Sequence, residues 1–288
     1  MTATYDRTAQ DLANIVALEH VNVTIPDQRP ATAFYIAGMG FTRDPYIQVG
    51  LENMWVNIGR SQCHLPTGEP QRVRGTIGIV VPDLNELAQR LTKVTPWLKG
   101  TQFSFKAHAD RIDAVCPWGN RFRCHAPSSE FGPGDLALAY VEFDVPRGSV
   151  DGIARFYREA LKATANIEQR GGEAVASVEA GSAQKLLFRE TSDPLPPYDN
   201  HHIQIYIVDF SGPHRFLTER GLITEESNEH QYRFRDIVDL DNGKKLFTIE
   251  HEVRSLRNPL YARPLVNRNP AQSNNAYVRG HDAFRGTF

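Results

Sequence analysis

Two long stretches of this 288-residue chain follow one pattern at nearly constant separation. His20-Val-Asn-Val-Thr-Ile-Pro26 alternates with period two, the mark of a half-buried strand. A helical stretch with Phe34-Tyr35 follows, closed by Gly38-Met-Gly-Phe41. Tyr140-Val-Glu-Phe-Asp-Val-Pro146 alternates in the same way and leads to Phe156-Tyr157 and Leu161. The strands lie 120 residues apart and the Phe-Tyr pairs 122. A second pair continues the match at an offset of 126: Thr76–Asp83 before an amphipathic helix through Leu84, Leu87 and Leu91, and His202–Asp209 before a helix around His214–Arg220. Each half then closes on a strand after a turn, Pro117–Asn120 leading to Arg121–Cys124 and Asp241-Asn-Gly243 to Leu246–His251.

An internal repeat of this kind limits the fold before any single residue does. Each half reads β-α-β-β-β twice, so the chain holds four such units and is expected to be α+β. We divide it into a lead-in (1–15), an N-terminal domain (16–126), a linker rich in Pro, Gly and Ser (127–135), a C-terminal domain (136–253) and an extended tail (254–288). The tail is expected either to pack on the second domain or to fray. Apolar content of 41% and this length suffice for a full core. With 32 Lys and Arg against 34 Asp and Glu, no electrostatic footprint for nucleic acid exists. The longest apolar runs, such as Ile77–Val81, are far short of the ~20 residues of a membrane span, and the first residues do not read as a secretion signal. Three cysteines (Cys63, Cys116, Cys124) without a CxxC argue against a disulfide scaffold or structural zinc, and a cytoplasmic location is expected.

The Phe-Tyr helices, His64-Leu-Pro on a middle strand, His201-His202-Ile-Gln-Ile and the closing Ile249-Glu250 strand together resemble the vicinal oxygen chelate superfamily over about residues 18–253. That superfamily includes glyoxalase I, methylmalonyl-CoA epimerase, fosfomycin and bleomycin resistance proteins, and extradiol ring-cleaving dioxygenases. The resemblance implies two tandem domains, each made of two βαβββ units whose curved mixed sheet wraps a cup. It also implies metal ligands on the first strand of unit one and on the first and last strands of unit two.

Taken within each half, those positions are His20, Thr76 and Arg123 in the first and Tyr140, His202 and Glu250 in the second. The fixed charge of Arg123 argues against metal in the first half, where His20 and His64 are expected to be satisfied, half-buried histidines. In the second, alternation places Tyr140, Glu142 and Asp144 on the cup side, and Glu142, one pleat (about 6.6 Å) from Tyr140, can supply the missing ligand. The expected metal set is Glu142, His202 and Glu250. Gln204 and Tyr206 share the parity of His202 and, with Tyr140, are expected to contact substrate. His201 has the opposite parity, and Glu252 lies near the mouth of the cup or on a solvated strand end. Tyr232 is a candidate for orienting substrate, Glu142 a candidate base, and Phe234 a candidate lining residue.

The layout implies a metalloenzyme acting on one small, oxygenated, conceivably aromatic metabolite, with Fe(II) first in order and Mn(II) or Zn(II) as alternatives; a homodimer is compatible with it. Extradiol-type ring cleavage is the most specific reading. Against it, the strand preceding His202 in sequence, Gln184–Phe188, lacks the acid-base His of those enzymes. The alternatives are a glyoxalase- or epimerase-like lyase or isomerase working through a metal-stabilised enolate, and a metal-free binding or resistance protein.

Overall fold

A computed structural model describes residues 6–8, 11–45, 52–266, 269, 271–272 and 277–281. The four units stand out in it. Unit one is β1 (Ile15–Asn22), α1 (Gln28–Ala31, continued by a π-helical turn at Thr32–Gly38), β2 (Thr42–Arg43), β3 (Asn53–Ile58) and β4 (Ser61–Pro66). Unit two is β5 (Gly75–Val80), α2 (Leu84–Val94), β6 (Ser104–Ala107), β7 (Arg111–Val115) and β8 (Arg121–His125). Unit three is β9 (Ala137–Pro146), α3 (Val150–Ala160), β10 (Ala165–Arg170), β11 (Glu173–Glu179) and β12 (Lys185–Thr191). Unit four is β13 (His202–Ile207), α4 (Ser211–Thr218), β14 (Ile223–Asn228), β15 (Gln231–Val238) and β16 (Lys245–Ser255).

Local chemistry explains the elements. Asp83 caps α2 by accepting from the amides of Asn85 and Glu86. Along α3, Val150, Ile153, Ala154, Phe156, Tyr157 and Ala160 are buried, the stripe that a 3.6-residue period turns to one side. Val141, Phe143 and Val145 of β9 join that core, while Tyr140 and Glu142 point to the other face. Phe188 and Phe247 pack on Phe143, and the Tyr157 hydroxyl meets His251 Nε2 at 2.6 Å.

The sheets join the units in an order that the repeat alone does not reveal. One eight-stranded sheet runs β14-β15-β16-β13-β1-β4-β3-β2 and the other β10-β11-β12-β9-β5-β8-β7-β6. Unit one thus pairs with unit four, and unit two with unit three. The seams are antiparallel: β1 lies on β13 with His20 opposite Gln204, and β5 lies on β9 with Gly78 opposite Tyr140. Both cups therefore draw on both sides of the linker, so Glu142 of unit three and His202 of unit four, grouped from one half, do not share a cup. A first strand is an edge that must be paired, and the repeat places two candidate partners in reach of each.

Asn14, just before β1, bonds the carbonyls of Leu161 and Asp209. The segment after β16 crosses the first sheet's cup instead of extending away. Tyr261 packs edge-on against Tyr206, with ring centres 4.8 Å apart. Arg263 forms a buried ion pair with Asp44 and reaches Gln62 Oε1 at 3.3 Å. Among the described residues no helix is long and apolar enough to cross a membrane.

Candidate metal centre

In the first sheet three side chains from both ends of the chain meet. His20 on β1, His202 on β13 and Glu252 on β16 are buried, and each offers one ligand atom within 4.8 Å of the other two. The register accounts for the meeting. His20 lies opposite Gln204, two residues from His202, and Gln204 pairs with Glu252 in the parallel ladder.

His20 is oriented by its neighbour. A break in register between Leu18 and His20 lets Glu19 reach the same side, and Glu19 Oε2 lies 2.5 Å from His20 Nδ1. An ionised carboxylate only accepts, so Nδ1 donates to Glu19 and Nε2 is the ring atom left to ligate. That Nε2 is buried and has no hydrogen-bond partner. Burial alone would raise the Glu19 carboxyl, but His20, Arg254 and Arg263 hold it below the usual carboxylate range. A carboxylate behind a histidine whose far nitrogen is bare is the arrangement seen behind metal-bound histidines.

His202 stands between two carboxylates at distances too long for hydrogen bonds: Nε2 is 3.6 Å from Glu252 Oε2 and Nδ1 is 3.7 Å from Glu250 Oε1. Burial, then His20 and Arg233, hold His202 well below the ordinary imidazole range, so it is neutral, as a ligand must be. Arginines position the carboxylates. Arg233 on β15 reaches Glu250 at 2.6 Å and Glu252 at 2.5 Å, Arg235 reaches Glu250 at 3.2 Å, and Arg254 reaches Glu252 at 2.5 Å. Three guanidinium groups thus balance Glu19, Glu250 and Glu252. Two imidazoles, one carboxylate and a bare, buried Nε2 fit a divalent metal ion.

A third histidine faces the same space. His64, on β4 beside β1, stacks on Trp55 with ring centres 3.9 Å apart and lies 6.0 Å from the His20 ring. Its Nε2 is buried without a partner, and burial, aided by His20, pushes the imidazole down to about 2. The amide of Gln204 is fully buried with neither Oε1 nor Nε2 bonded.

The structure separates several of the residues grouped from sequence. Glu142 lies on β9 in the other sheet, opposite Thr76, with Arg189 Nε at 3.4 Å. Glu250 is held by Arg233 and Arg235, and Glu252, one pleat further, takes the position beside His20. Tyr140 belongs to the second cup, while Gln204 and Tyr206 lie in the first, where Gln204 faces His20 across the seam. Tyr232 is buried against Phe210 and His214 under α4, because alternation sends it opposite to Arg233, which faces Glu252. Phe234 stacks on His251 in the core and lines no cup. His201 is buried with its Nδ1 2.6 Å from Asp199. His20 and His64, expected to be satisfied histidines, each keep a bare nitrogen. Pairing the units differently would have brought His20 to His202 on paper; nothing in the spacing required it.

At the level of sequence no family model matches, and neither does any curated protein. Solved structures do match. Glyoxalase I from Zea mays is similar with a TM-score of 0.56 at 15% identity, covering 83% of this chain and 92% of that one. A proposed dioxygenase from Bacillus subtilis matches with a TM-score of 0.56 at 14% identity, covering 85% and 86%. The cppA protein of Streptococcus pneumoniae gives 0.50 at 11% identity, covering 85% and 100%. At these identities the likeness is one of architecture, and with the four units and their two cups it is sufficient for one conclusion: the chain has the vicinal oxygen chelate fold.

Proposed function

We propose that the protein is a metal-dependent enzyme acting on a small oxygenated molecule, and that its reaction is extradiol-type ring cleavage with Fe(II). The observation that carries this reading is the convergence of His20, His202 and Glu252. Two histidines and one carboxylate on one side of an ion are the donor set of non-haem iron oxygenases. When bound, the ion supplies Lewis acidity toward vicinal oxygens and one-electron chemistry with O2.

The chain's own residues do the rest. Glu19 orients the His20 ring, and Arg233 and Arg254 hold Glu252. Because three arginines already balance three carboxylates, a divalent ion leaves the cup with surplus positive charge, which favours a substrate that binds as an anion. His64 is neutral and its bare Nε2 faces the same space, so it can take the proton that a substrate hydroxyl loses. An anionic oxygen beside it raises its proton affinity when that matters. The imidazole sought on the strand before His202 in sequence is thus supplied by β4, the neighbour of β1 in space. Gln204 offers an unbonded amide to the substrate, and burial of His20 and Glu252 keeps bulk water out. Both carboxylates on β16 are tied to arginines, so neither is free to serve as the base that an enolate mechanism needs.

Oxygen uptake with a panel of catechols, using protein loaded anaerobically with Fe(II), tests the reading. We expect uptake with a ring-cleaved product, and at least a 100-fold loss in His64→Gln with iron retained. Metal binding without uptake on any catechol would defeat the dioxygenase assignment, and no metal binding would defeat the enzyme.

A further inference from the structure

The second cup has the same construction but a different set of side chains. Gly78 faces Tyr140 across the β5–β9 seam as Gln204 faces His20 across the β13–β1 seam. Gly78 also pairs with Arg123 in the parallel ladder as Gln204 pairs with Glu252. Tyr140, Thr76 and Arg123 therefore occupy the places of His20, His202 and Glu252. A guanidinium replaces the carboxylate, which removes any use for a cation and creates one for an anion.

This cup is also open. A cavity of about 720 Å³ and an adjoining one of about 410 Å³ share Arg123, Tyr140 and Arg170. Spaces of that size suit a small organic ligand. Arg121, Arg123, Arg170 and Arg189 line the inner cavity, where Arg121 and Arg189 pair with Asp144, Arg170 with Glu168 and Arg123 with Asp113; Arg123 and Arg170 also reach the outer cavity, beside Lys185 and four carboxylates. Arg123 uses its Nε on Asp113 at 3.2 Å and lines both cavities beside Tyr140.

The wall beside Arg123 is aromatic. Tyr140 Oη and His125 Nε2 are 2.9 Å apart, and the His125 ring lies 4.6 Å from that of Phe131. Tyr140 can lie over β5 only because residue 78 is glycine, since a Cβ there would stand 2.2 Å from its ring. A planar body beside these rings would bring its anionic group to Arg123.

We propose that the second cup is a binding site for an aromatic carboxylate, anchored by Arg123 and seated against Tyr140, His125 and Phe131. The site does not depend on the metal reading of the first cup. Titration calorimetry of the purified full-length chain with benzoate, in buffer containing a chelator, tests it. Benzoate is expected to bind, and benzyl alcohol, which lacks the charge, is not. Arg123→Gln is expected to weaken benzoate about tenfold or more, as loss of a charge-assisted pair does. His202→Ala, in the other cup, is expected to leave it unchanged. Arg123 is partly exposed, so that variant should fold, and Tyr140→Phe gives a second, milder reading of the same site. No benzoate binding at millimolar concentration, or binding that survives Arg123→Gln and is lost in His202→Ala, would overturn the proposal.

Discussion

Replacing Asp44 with Ala should loosen the segment that covers the metal cup. The Asp44 side chain is 0% exposed and that of Arg263 is 4% exposed, so the pair is removed from water. Taking away one partner leaves a buried guanidinium without the Asp44 carboxylate. Such a loss costs about 3–5 kcal/mol. For a chain of this size that corresponds to a fall in melting temperature of about 10 °C if the loss is felt globally. The segment carrying Arg263 has an easier escape, because its local undocking exposes Arg263 to water and caps the global cost. The two outcomes separate by assay. Chemical denaturation reads the global loss, and limited proteolysis between residues 256 and 266 reads undocking, which should accelerate at least tenfold. The double variant Asp44→Leu with Arg263→Met replaces the pair with apolar groups and should recover most of the loss. If Asp44→Ala changes neither denaturation nor proteolysis, the pair does not fasten the segment over the cup.

Two further outcomes follow from buried groups. In Gly78→Val a new Cβ meets the Tyr140 ring at 2.2 Å, so urea denaturation should show a loss of about 2 kcal/mol that Tyr140→Ala largely relieves; an unaltered midpoint would deny the close approach. Burial pushes His251 down to about 3, although its bond to the Ile249 carbonyl works the other way. The unfolded chain therefore takes up a proton below pH ~6.5 that the folded chain refuses, and stability falls as pH drops from there toward about 3. From pH 6.5 to 5 this amounts to about 2 kcal/mol, a slope that His251→Gln should lose relative to the parent; equal slopes in urea titrations would refute it.

Much of the fold was legible because strand alternation and helix stripes are local. Val141, Phe143 and Val145 point to the core and Tyr140 and Glu142 to a cup, as their parity requires. Which units share a sheet was not legible. An offset near 120 residues is satisfied equally by pairing neighbours or by pairing the first unit with the last, and only the β1–β13 and β5–β9 seams decide. The site inherited that ambiguity: Glu142 was grouped with His202 across two cups, and His20 was assigned to a cup without partners. Glu250 and Glu252 share parity, so a strand pattern cannot choose between them; the position of His20 does. Tyr232 was misplaced for a simpler reason, since its parity puts it under α4 while Arg233 takes the cup side.

Metal binding tests the central claim most directly. Equilibrium dialysis of the full-length chain against Fe(II), Mn(II) or Zn(II), followed by elemental analysis, should find one ion per chain. His20→Ala and Glu252→Gln should abolish it, Glu19→Gln should weaken it about 10–100-fold, and Glu142→Gln should leave it intact. Retention in Glu252→Gln together with loss in Glu142→Gln would contradict the account and move the ion to the other cup.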